Sequence, residues 1–472
     1  MKTRERVVLL FYTFFNIISN QYIKLYSDEA YYWVWSKKLD FSYFDHPPMV
    51  AYLIKLTTLF SDEPIFLRLS AALLVSFTAY LLYALAKRIF DEKSAVYTFY
   101  IFISSVFIIA ASTIIAPDIP MMFFWTLTLY SAYRYIEEDN KKFALLLGIS
   151  GGALLLSKYP GVLVLFTILV YIIIYRRDLF KDKYLYIAMA LVPVVFSPVL
   201  YWNYIYDFIS FTFQINHGVA KEKIFLPKEF FSFVGVQFAL FHPFYLLPLF
   251  YFIFKDRERF SRKKVFLLLP FLFVFVFFSY HAAFKHANAQ WAAGAYVSAS
   301  ILLGHYMVVY NARKLLIAGL SLSALLIVLI KTPIGPYTLK PVENLLSRLG
   351  RIDNFSPEIQ ALDLDIESYD YILIDDYHGC EVAYYFRKHN NLLVLNNARF
   401  SSFNIWRQDE AGIDMMSPLK SIPKLGKCIY IGKSLAHANE IASLFGNQKV
   451  LAHKKKKAGK RNLEYYFVEY TN

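Results

Sequence analysis

Charged residues are scarce in this sequence: Asp, Glu, Lys and Arg make up 18% of its 472 residues. Soluble globular domains carry about 25% charged residues, so the composition excludes a soluble fold for the chain as a whole. Hydrophobic residues make up 57% and aromatic residues 19%. Several nearly apolar windows reach the roughly 17 residues that a helix needs to cross a bilayer. The sequence therefore predicts a polytopic α-helical membrane protein.

Cysteine is rare as well, and the motifs of several protein classes are absent. Cys380 and Cys428 both lie near the C-terminus, where they form either a disulfide or two buried thiols. No Cys/His spacing of a structural zinc site occurs. No G-x-G-x-x-G or P-loop pattern occurs either, which argues against a cytoplasmic nucleotide-sugar domain. We expect no nucleic-acid partner, and we expect the first apolar run to be a retained helix rather than a cleaved signal peptide.

Apolar segments predict about eleven transmembrane helices, with roughly thirteen as the upper count. Two of them, 143–157 and 160–175, are short enough to form one broken hairpin instead. The predicted spans are 7–25, 65–86, 95–116, 120–136, 143–157, 160–175, 184–202, 231–253, 265–281, 292–310 and 313–330.

The distribution of basic residues predicts how these spans are oriented. One set of alternate connections, which includes "KTRER" and "KDRERFSRKK", carries roughly twice as many Lys and Arg residues as the other. This asymmetry predicts that the basic connections and the N-terminus lie in the cytoplasm. An odd number of spans then places the C-terminal region outside the cytoplasm, whereas an even number would reverse it.

A segment rich in Pro, "KTPIGPYTLKP" at 331–341, separates a predicted transmembrane domain (1–336) from a soluble domain (337–472). Strands alternate with helices in the second domain, which predicts a small extracytoplasmic α/β layer with a largely parallel sheet. The basic run "HKKKKAGKR" (453–461) joins two predicted strands, and it suits a solvated hairpin tip better than a dedicated contact with anionic lipids. Strands are predicted in "YDYILIDD", "NLLVLN", "KCIYIG" and "LEYYFVEY", and helices in "CEVAYYFRKH" and "SLAHANEIASLFG".

All five predicted outer connections carry ionisable or polar side chains. Taken singly, Asp28, Glu29 and Asp118 equally suit helix caps, while Lys158 and Arg68 suit snorkelling cations. Together they favour one cavity, because charges at membrane depth usually face a cavity or a partner. The residues on this side are Asp28, Glu29, Asp45, His46, Asp118, Lys158, His217, Lys285 and His286.

Carboxylates and cations at one membrane face suit the transfer of a sugar from a lipid phosphate. A departing phosphate needs cations, for which Lys158, Lys285, Arg68 and His46 are candidates. The attacking hydroxyl needs a carboxylate that accepts its proton, for which Asp28, Glu29 and Asp118 are the candidates. Aromatic side chains in "AYYWVW" suit a sugar ring, a polyprenyl tail or an interfacial belt.

The segment "DEAYYWVWSKKLDFSYFDHPPMVAYLI" resembles bacterial members of the protein O-mannosyltransferase-like superfamily. These are GT-C glycosyltransferases, and they include the enzymes that add aminoarabinose to lipid A. Similar segments follow in order, and the last of them resembles the tail of that family. They are "APDIPMMFFWTLTLY", "LLLSKYPGVLV", "PVLYWNYIYDFISFTFQINHG", "KHANAQWAAGAY" and "DDYHGCEVAYYFRKHNNLLVLNNARFSSFNIW".

The resemblance implies a polyprenyl-phosphate sugar donor and an extracytoplasmic active site in the bilayer. It also implies an acceptor that is a glycolipid such as lipid A, a glycan or a protein. Asp28 is then the catalytic carboxylate that faces the cavity, and its neighbour Glu29 is left to cap or pair. Asp118 is the second acidic residue, and Lys158 is the basic residue at a helix end. Asp45 and His46 match an acidic and basic pair before Pro. Tyr31, Tyr32, His217, Gln290 and Trp291 are expected to line the cavity. Gln290 departs from the family pattern, which usually has Asn or His before the Trp, and Ala-Ala-Gly follows Trp291.

Two other classes of function compete with this interpretation. A transporter or flippase of a lipid-linked glycan would show charges near the middle of several helices and often repeat symmetry, and we find no repeat. A sensor or scaffold would not explain carboxylates that are braced by prolines. No cofactor is predicted, and a divalent metal stays open, although the Asp-x-Asp in "DLDIES" suits a polar turn in the tail better.

Overall fold

The computed structural model describes residues 1–23, 25–218, 224–332, 364–375, 379–387, 392–394, 401–411, 426–443, 445–458 and 461–471. The N-terminal part is helical. Its helices are α1 (Thr3–Asn20), α2 (Ser27–Lys37), α3 (Met49–Thr57), α4 (Pro64–Leu67), α5 (Leu69–Ile89), α6 (Glu92–Ser104), α7 (Val106–Ala111), α8 (Asp118–Ile136), α9 (Lys142–Ser157), α10 (Val162–Tyr175), α11 (Lys183–Ile205), α12 (Ile209–Gly218), α13 (Pro227–Phe241), α14 (Leu246–Lys255), α15 (Arg262–Ala282), α16 (Ala293–Val309) and α17 (Arg313–Lys331).

A helix lies at each predicted span, but three of the spans are interrupted, and the one predicted at 65–86 is divided at Arg68 into α4 and α5. The span predicted at 95–116 is split into α6 and α7 at Ser105, whose backbone is extended at ψ 133°. The span predicted at 231–253 is split into α13 and α14, which meet at an angle of 95°. Pro243 explains the last of these breaks, because proline disfavours helical geometry at the residue before it. That residue, His242, has φ 147°.

Among the described helices, fewer than predicted are long and apolar enough to cross a bilayer by themselves. Within the described ranges, five helices are long and apolar enough to cross a bilayer, or six if α13 and α14 form one bent span. Helices α9 and α10 fall short of that length, in line with the prediction of short segments there.

Small residues bring several helices unusually close together. A Cβ atom at Gly152 would lie 2.5 Å from the Cβ of Val195, and one at Gly148 would lie 2.7 Å from the Cβ of Leu191. Helices α9 and α11 therefore pack with almost no side chain between them, as small residues permit in membrane bundles. This contact fixes the C-terminal end of α9, where Lys158 follows.

In the described parts of the tail, five strands form one sheet with the order β2-β1-β3-β5-β4. The strands are β1 (Tyr371–Ile374), β2 (Leu392–Val394), β3 (Cys428–Gly432), β4 (Asn447–Ala458) and β5 (Arg461–Thr471). Its helices are α18 (Cys380–Tyr385), α19 (Ser402–Ala411) and α20 (Leu435–Ala442).

The predicted strands and helices of the tail are confirmed, but the sheet is mixed rather than largely parallel. Strand β1 is parallel to β2 and β3, while β5 is antiparallel to β3 and β4. The basic run at 453–461 lies at the far end of a hairpin between two strands, as predicted, because β4 and β5 are antiparallel and pair as far as Ala458 and Arg461. Most of the run is paired strand, however, so β4 is longer than the prediction had it.

Two further predictions about the tail have different outcomes. Cys380 and Cys428 are both buried and are not joined in a disulfide, so the second of the two alternatives holds. The predicted domain boundary near 336 lies outside the described residues.

The tail packs directly on the first connection between predicted spans. The ring of Tyr384, on α18, lies edge-on to Trp33 of α2 at 5.3 Å between centroids. The Tyr384 hydroxyl donates a hydrogen bond to the carbonyl of Asp62 at 2.6 Å. Helix α2 is therefore held between the helical bundle and the tail.

Candidate active site

A cavity of about 550 Å³ lies where the connections that were predicted to be on the outer side converge. Its wall contains ionisable, polar and aromatic side chains from α2, the segment before α3, α8, the end of α9, α12, α15 and the segment before α16. The side chains with polar groups are Tyr26, Asp28, Tyr31, Tyr32, Asp45, His46, Asp118, Lys158, Tyr159, Gln214, His281, Asn288, Gln290 and Trp291. Residues more than 260 positions apart in the sequence thus line the same cavity.

Nine of the residues proposed from the sequence line this cavity. Asp28 enters it from the first turn of α2, and Asp118 from the first turn of α8. The nine are Asp28, Tyr31, Tyr32, Asp45, His46, Asp118, Lys158, Gln290 and Trp291. The roles proposed for them remain predictions, but their spatial grouping is what those roles require.

The segment that carries Asp45 and His46 is held from three sides. The Tyr31 hydroxyl donates to Oδ2 of Asp45 at 3.0 Å, and the Gln214 amide donates to its carbonyl at 2.7 Å. The backbone N–H of Tyr43 donates to the carbonyl of His46 at 3.2 Å. The two prolines that follow restrict the backbone further. This short irregular segment therefore has a defined shape at the cavity wall.

Lys158 and Asp118 form an ion pair in the wall, with 2.7 Å between Nζ and Oδ1. Both residues are buried. Lys158 ends α9 in an extended conformation, which turns its side chain out of the helix. Burying two charges is costly even when they are paired, so such a pair is weak evidence for stability. Because both residues line the cavity, their charges are placed where a bound ligand could contact them.

Glu29 lies in a separate, fully buried polar cluster. Its carboxylate accepts two hydrogen bonds from Arg68, from Nε at 2.8 Å and from Nη2 at 2.6 Å. It also accepts the backbone N–H groups of Tyr26 at 3.1 Å and Ile115 at 3.0 Å. Glu29 and Arg68 are not among the cavity-lining residues. Catalysis by Glu29 and phosphate binding by Arg68 stay predictions, and the structure places both side chains in this cluster and outside the described cavity wall.

Two more predicted residues also lie apart from the described cavity wall. The ammonium group of Lys285 donates to the carbonyl of Asn216 at 2.7 Å. His286, which belongs to the same connection, lies 2.9 Å from Glu229. The side chain of His217 lies outside the described residues.

Sequence reasoning missed several polar residues of the wall. His281 occupies the last turn of α15, where its ring lies 5.3 Å from that of Trp291. An ionisable residue in the last turn of an apolar helix is itself a signal of function, and it could have identified this position. Gln214, Asn288, Tyr26 and Tyr159 carry no comparable signal, because uncharged polar residues are common near helix ends.

A metal site does not emerge from the described ranges. Within them, no three His, Cys, Asp or Glu side chains are grouped so as to hold an ion. Asp365, from the Asp-x-Asp pattern, precedes a short 3₁₀ turn in the tail at Ile366–Ser368.

The helical bundle and the small α/β tail together form a fold that is known from solved structures. The fold matches ArnT from Cupriavidus metallidurans, solved bound to undecaprenyl phosphate, with a TM-score of 0.72 at 16% identity. That match covers 99% of this chain and 98% of the other. The oligosaccharyltransferase of Archaeoglobus fulgidus matches more loosely, with a TM-score of 0.51 at 12% identity over 90% of this chain and 69% of that one.

Residues 45–202 match the family described as dolichyl-phosphate-mannose-protein mannosyltransferase. The resemblance proposed from the sequence is therefore confirmed. The matched region contains Asp45, His46, Asp118 and Lys158, which are four of the cavity residues.

Two relatives are similar in sequence over about half of this chain. Lipid A galacturonosyltransferase RgtD of Rhizobium johnstonii is 27% identical over 286 residues, or 58% of this chain and 59% of that protein. A protein of Aquifex aeolicus is 29% identical over 243 residues, or 49% of this chain and 48% of that protein. Each match thus spans less than two thirds of the relative's length.

Proposed function

We propose that this protein is an integral-membrane glycosyltransferase. It transfers a sugar from a polyprenyl-phosphate donor to a glycolipid, glycan or protein acceptor at the outer face of the bacterial inner membrane. The observation that carries the proposal is the single cavity that joins Asp28, Asp118, Lys158 and His46 with aromatic side chains. The name of RgtD and the lipid phosphate bound to ArnT point to the same chemistry.

In the proposed reaction, Asp28 accepts the proton of the acceptor hydroxyl. The hydroxyl oxygen forms a bond to the anomeric carbon of the sugar, and the bond from that carbon to the phosphate oxygen breaks. The electron pair leaves with the polyprenyl phosphate. A single displacement of this kind inverts the anomeric configuration.

Charge on the departing phosphate is the main electrostatic demand of this reaction. Lys158 is placed to stabilise that charge. Its ammonium group has three N–H donors, so it can bind Asp118 and donate to a phosphate oxygen as well. Asp118 holds the lysine in the wall and offsets its charge before the donor arrives. His46 is the second group proposed to contact the phosphate.

Aromatic side chains complete the proposed site. Tyr32 and Trp291 line the cavity and provide flat apolar faces that suit a sugar ring or the first prenyl units. No step of this scheme uses a metal ion.

The proposal is tested by incubating the purified protein in detergent with polyprenyl-phosphate sugars and measuring the release of polyprenyl phosphate. We expect release that depends on an acceptor such as lipid A. The Asp178→Asn variant is a suitable control, because that carboxylate is exposed and lies outside the cavity. Transport of intact donor across proteoliposomes without release of phosphate would favour a flippase instead.

Substitution of Lys158 is expected to weaken donor binding. Each hydrogen bond to a charged group contributes about 1.5–3 kcal/mol, so Lys158→Ala and His46→Ala should each raise the Kd for undecaprenyl phosphate accordingly. Binding can be measured by titration in detergent. Lys285→Ala is the matched control, because that ammonium group contacts a backbone carbonyl outside the cavity wall.

Folding and binding must be separated in the lysine variant. Lys158→Ala leaves the Asp118 carboxylate buried without its cation, which destabilises the protein. The double variant Lys158→Met with Asp118→Leu removes both charges and should recover thermal stability without recovering affinity. Full affinity in that double variant would mean that the pair has only a structural role.

The proposed orientation is checked with reporters fused after Asn472. If residues 337–472 lie in the periplasm, a reporter active only there should give signal and a reporter active only in the cytoplasm should give none. The reversed pattern would show that the number of spans is even.

A further inference from the structure

The start of helix α19 in the tail reaches the first connection of the membrane domain. The backbone N–H of Ser402 donates to the hydroxyl oxygen of Tyr31 at 2.9 Å. The Ser402 hydroxyl accepts the backbone N–H of Phe44 at 3.2 Å. Ser402 thus bonds to both the helix and the loop that form one side of the cavity, although more than 350 positions separate them in sequence.

Tyr31 connects Ser402 with Asp45 in the cavity wall. A backbone N–H can only donate, so the Tyr31 oxygen accepts from Ser402 and its single proton is directed to Oδ2 of Asp45 at 3.0 Å. All three residues are buried, with exposed fractions of 1% for Ser402, 2% for Tyr31 and 6% for Asp45. Water therefore competes little for these two hydrogen bonds.

Aromatic packing supports the same junction. The Phe403 ring stacks on Tyr31 with 5.9 Å between centroids and an interplanar angle of 19°. The Trp406 ring lies edge-on to Tyr43 at 6.4 Å. Contacts from little more than one helical turn, Ser402 to Trp406, therefore seat α19 on α2 and on the segment before Asp45.

We propose that Ser402, acting through Tyr31, is a positioning residue for Asp45 and His46, so that the tail sets the shape of the donor site. This inference rests on the proposed function. Without the hydrogen bonds, the segment that contains Asp45 and His46 would have to be ordered when the donor binds, which lowers affinity.

Three single variants separate this role from general stability. Ser402→Pro removes the N–H that donates to Tyr31, and proline is well tolerated at the first position of a helix. Ser402→Ala keeps that N–H and removes only the hydroxyl. Tyr31→Phe keeps the ring on Phe403 and removes both hydrogen bonds of the relay.

The measurement is the Kd of undecaprenyl phosphate for the purified full-length protein, with the melting temperature taken in parallel. We expect Ser402→Pro and Tyr31→Phe each to raise the Kd about 10-fold, and Ser402→Ala to raise it clearly less. Because both variants break one relay, combining them should add little to either. In turnover assays the change should appear in KM for the donor more than in kcat.

Each outcome decides between the alternatives. Equal Kd values for wild type, Ser402→Pro and Tyr31→Phe would overturn the positioning role and leave the proposed function intact. Equal losses in Ser402→Pro and Ser402→Ala would also overturn it, because the N–H would then not matter. A wild-type protein that does not bind undecaprenyl phosphate would overturn the proposed function itself, and this inference with it.

Discussion

Asp28→Asn is expected to lower turnover by about 10²–10⁴-fold, the contribution typical of a general base. The amide keeps the size of the carboxylate but cannot accept the proton of the acceptor hydroxyl. Donor affinity should change little, because the lost interaction matters mainly in the transition state. The measurement is kcat for polyprenyl phosphate release, alongside the Kd for undecaprenyl phosphate.

The choice of Asp28 as the base rests on the family resemblance and on its place in the cavity wall. Asp118 and Asp45 also line this wall, where Lys158 pairs with Asp118 and the Tyr31 hydroxyl donates to Asp45. Asp178→Asn makes the same chemical change at an exposed position and should leave kcat unaltered. If Asp28→Asn retained near-full kcat, Asp28 would be a helix cap, and Asp118 would become the candidate base.

Glu29→Gln should produce the largest loss of stability among the substitutions in this region. It leaves the Arg68 guanidinium buried without a counter-ion, and breaking a buried ion pair costs about 3–5 kcal/mol. Arg68 also donates through Nη1 to the carbonyls of Asn20 and Ile23, at 2.6 Å each. The pair therefore joins the end of α1, the start of α2 and the segment before α8. Thermal unfolding in detergent measures the effect.

A second substitution distinguishes charge imbalance from lost packing. Combining Glu29→Gln with Arg68→Met removes the uncompensated cation and should recover part of the melting temperature. The kcat of the folded fraction should stay near the wild-type value in Glu29→Gln, because Glu29 does not line the described cavity. A stable Glu29→Gln variant with low kcat would instead assign Glu29 to catalysis.

The adjacent pair Asp28 and Glu29 shows how far local sequence reasoning extends. Neighbouring residues on a helix point about 100° apart, so the two carboxylates had to face different surroundings. The resemblance favoured Asp28 for the cavity and left Glu29 to cap or pair. In the structure, the Glu29 carboxylate does both: it caps α2 by accepting the backbone N–H of Tyr26, and it pairs with Arg68. What local reasoning missed was the partner, since Arg68 is 39 positions away.

Strand β4 shows a feature that its own composition does not reveal. Its pairing with β5 runs from Asn447 to Ala458 and includes the lysine-rich run. From its composition alone, that run is expected to be solvated. A charged run can nevertheless form an edge strand, because charges at the edge of a sheet discourage pairing with a further strand. Only the neighbouring strand reveals the difference.

The sequence by itself determined the apolar segments, their helices, the family resemblance and the side on which the polar residues gather. These properties depend on composition and on short-range periodicity, which are local in the chain. The tertiary structure decided which polar residues share a cavity, as with Lys158 and Asp118, and which pair elsewhere, as with Arg68 and Glu29. It alone brought Ser402 to Tyr31. Such contacts depend on how helices pack and on where the tail docks, and no pattern within a single segment encodes either.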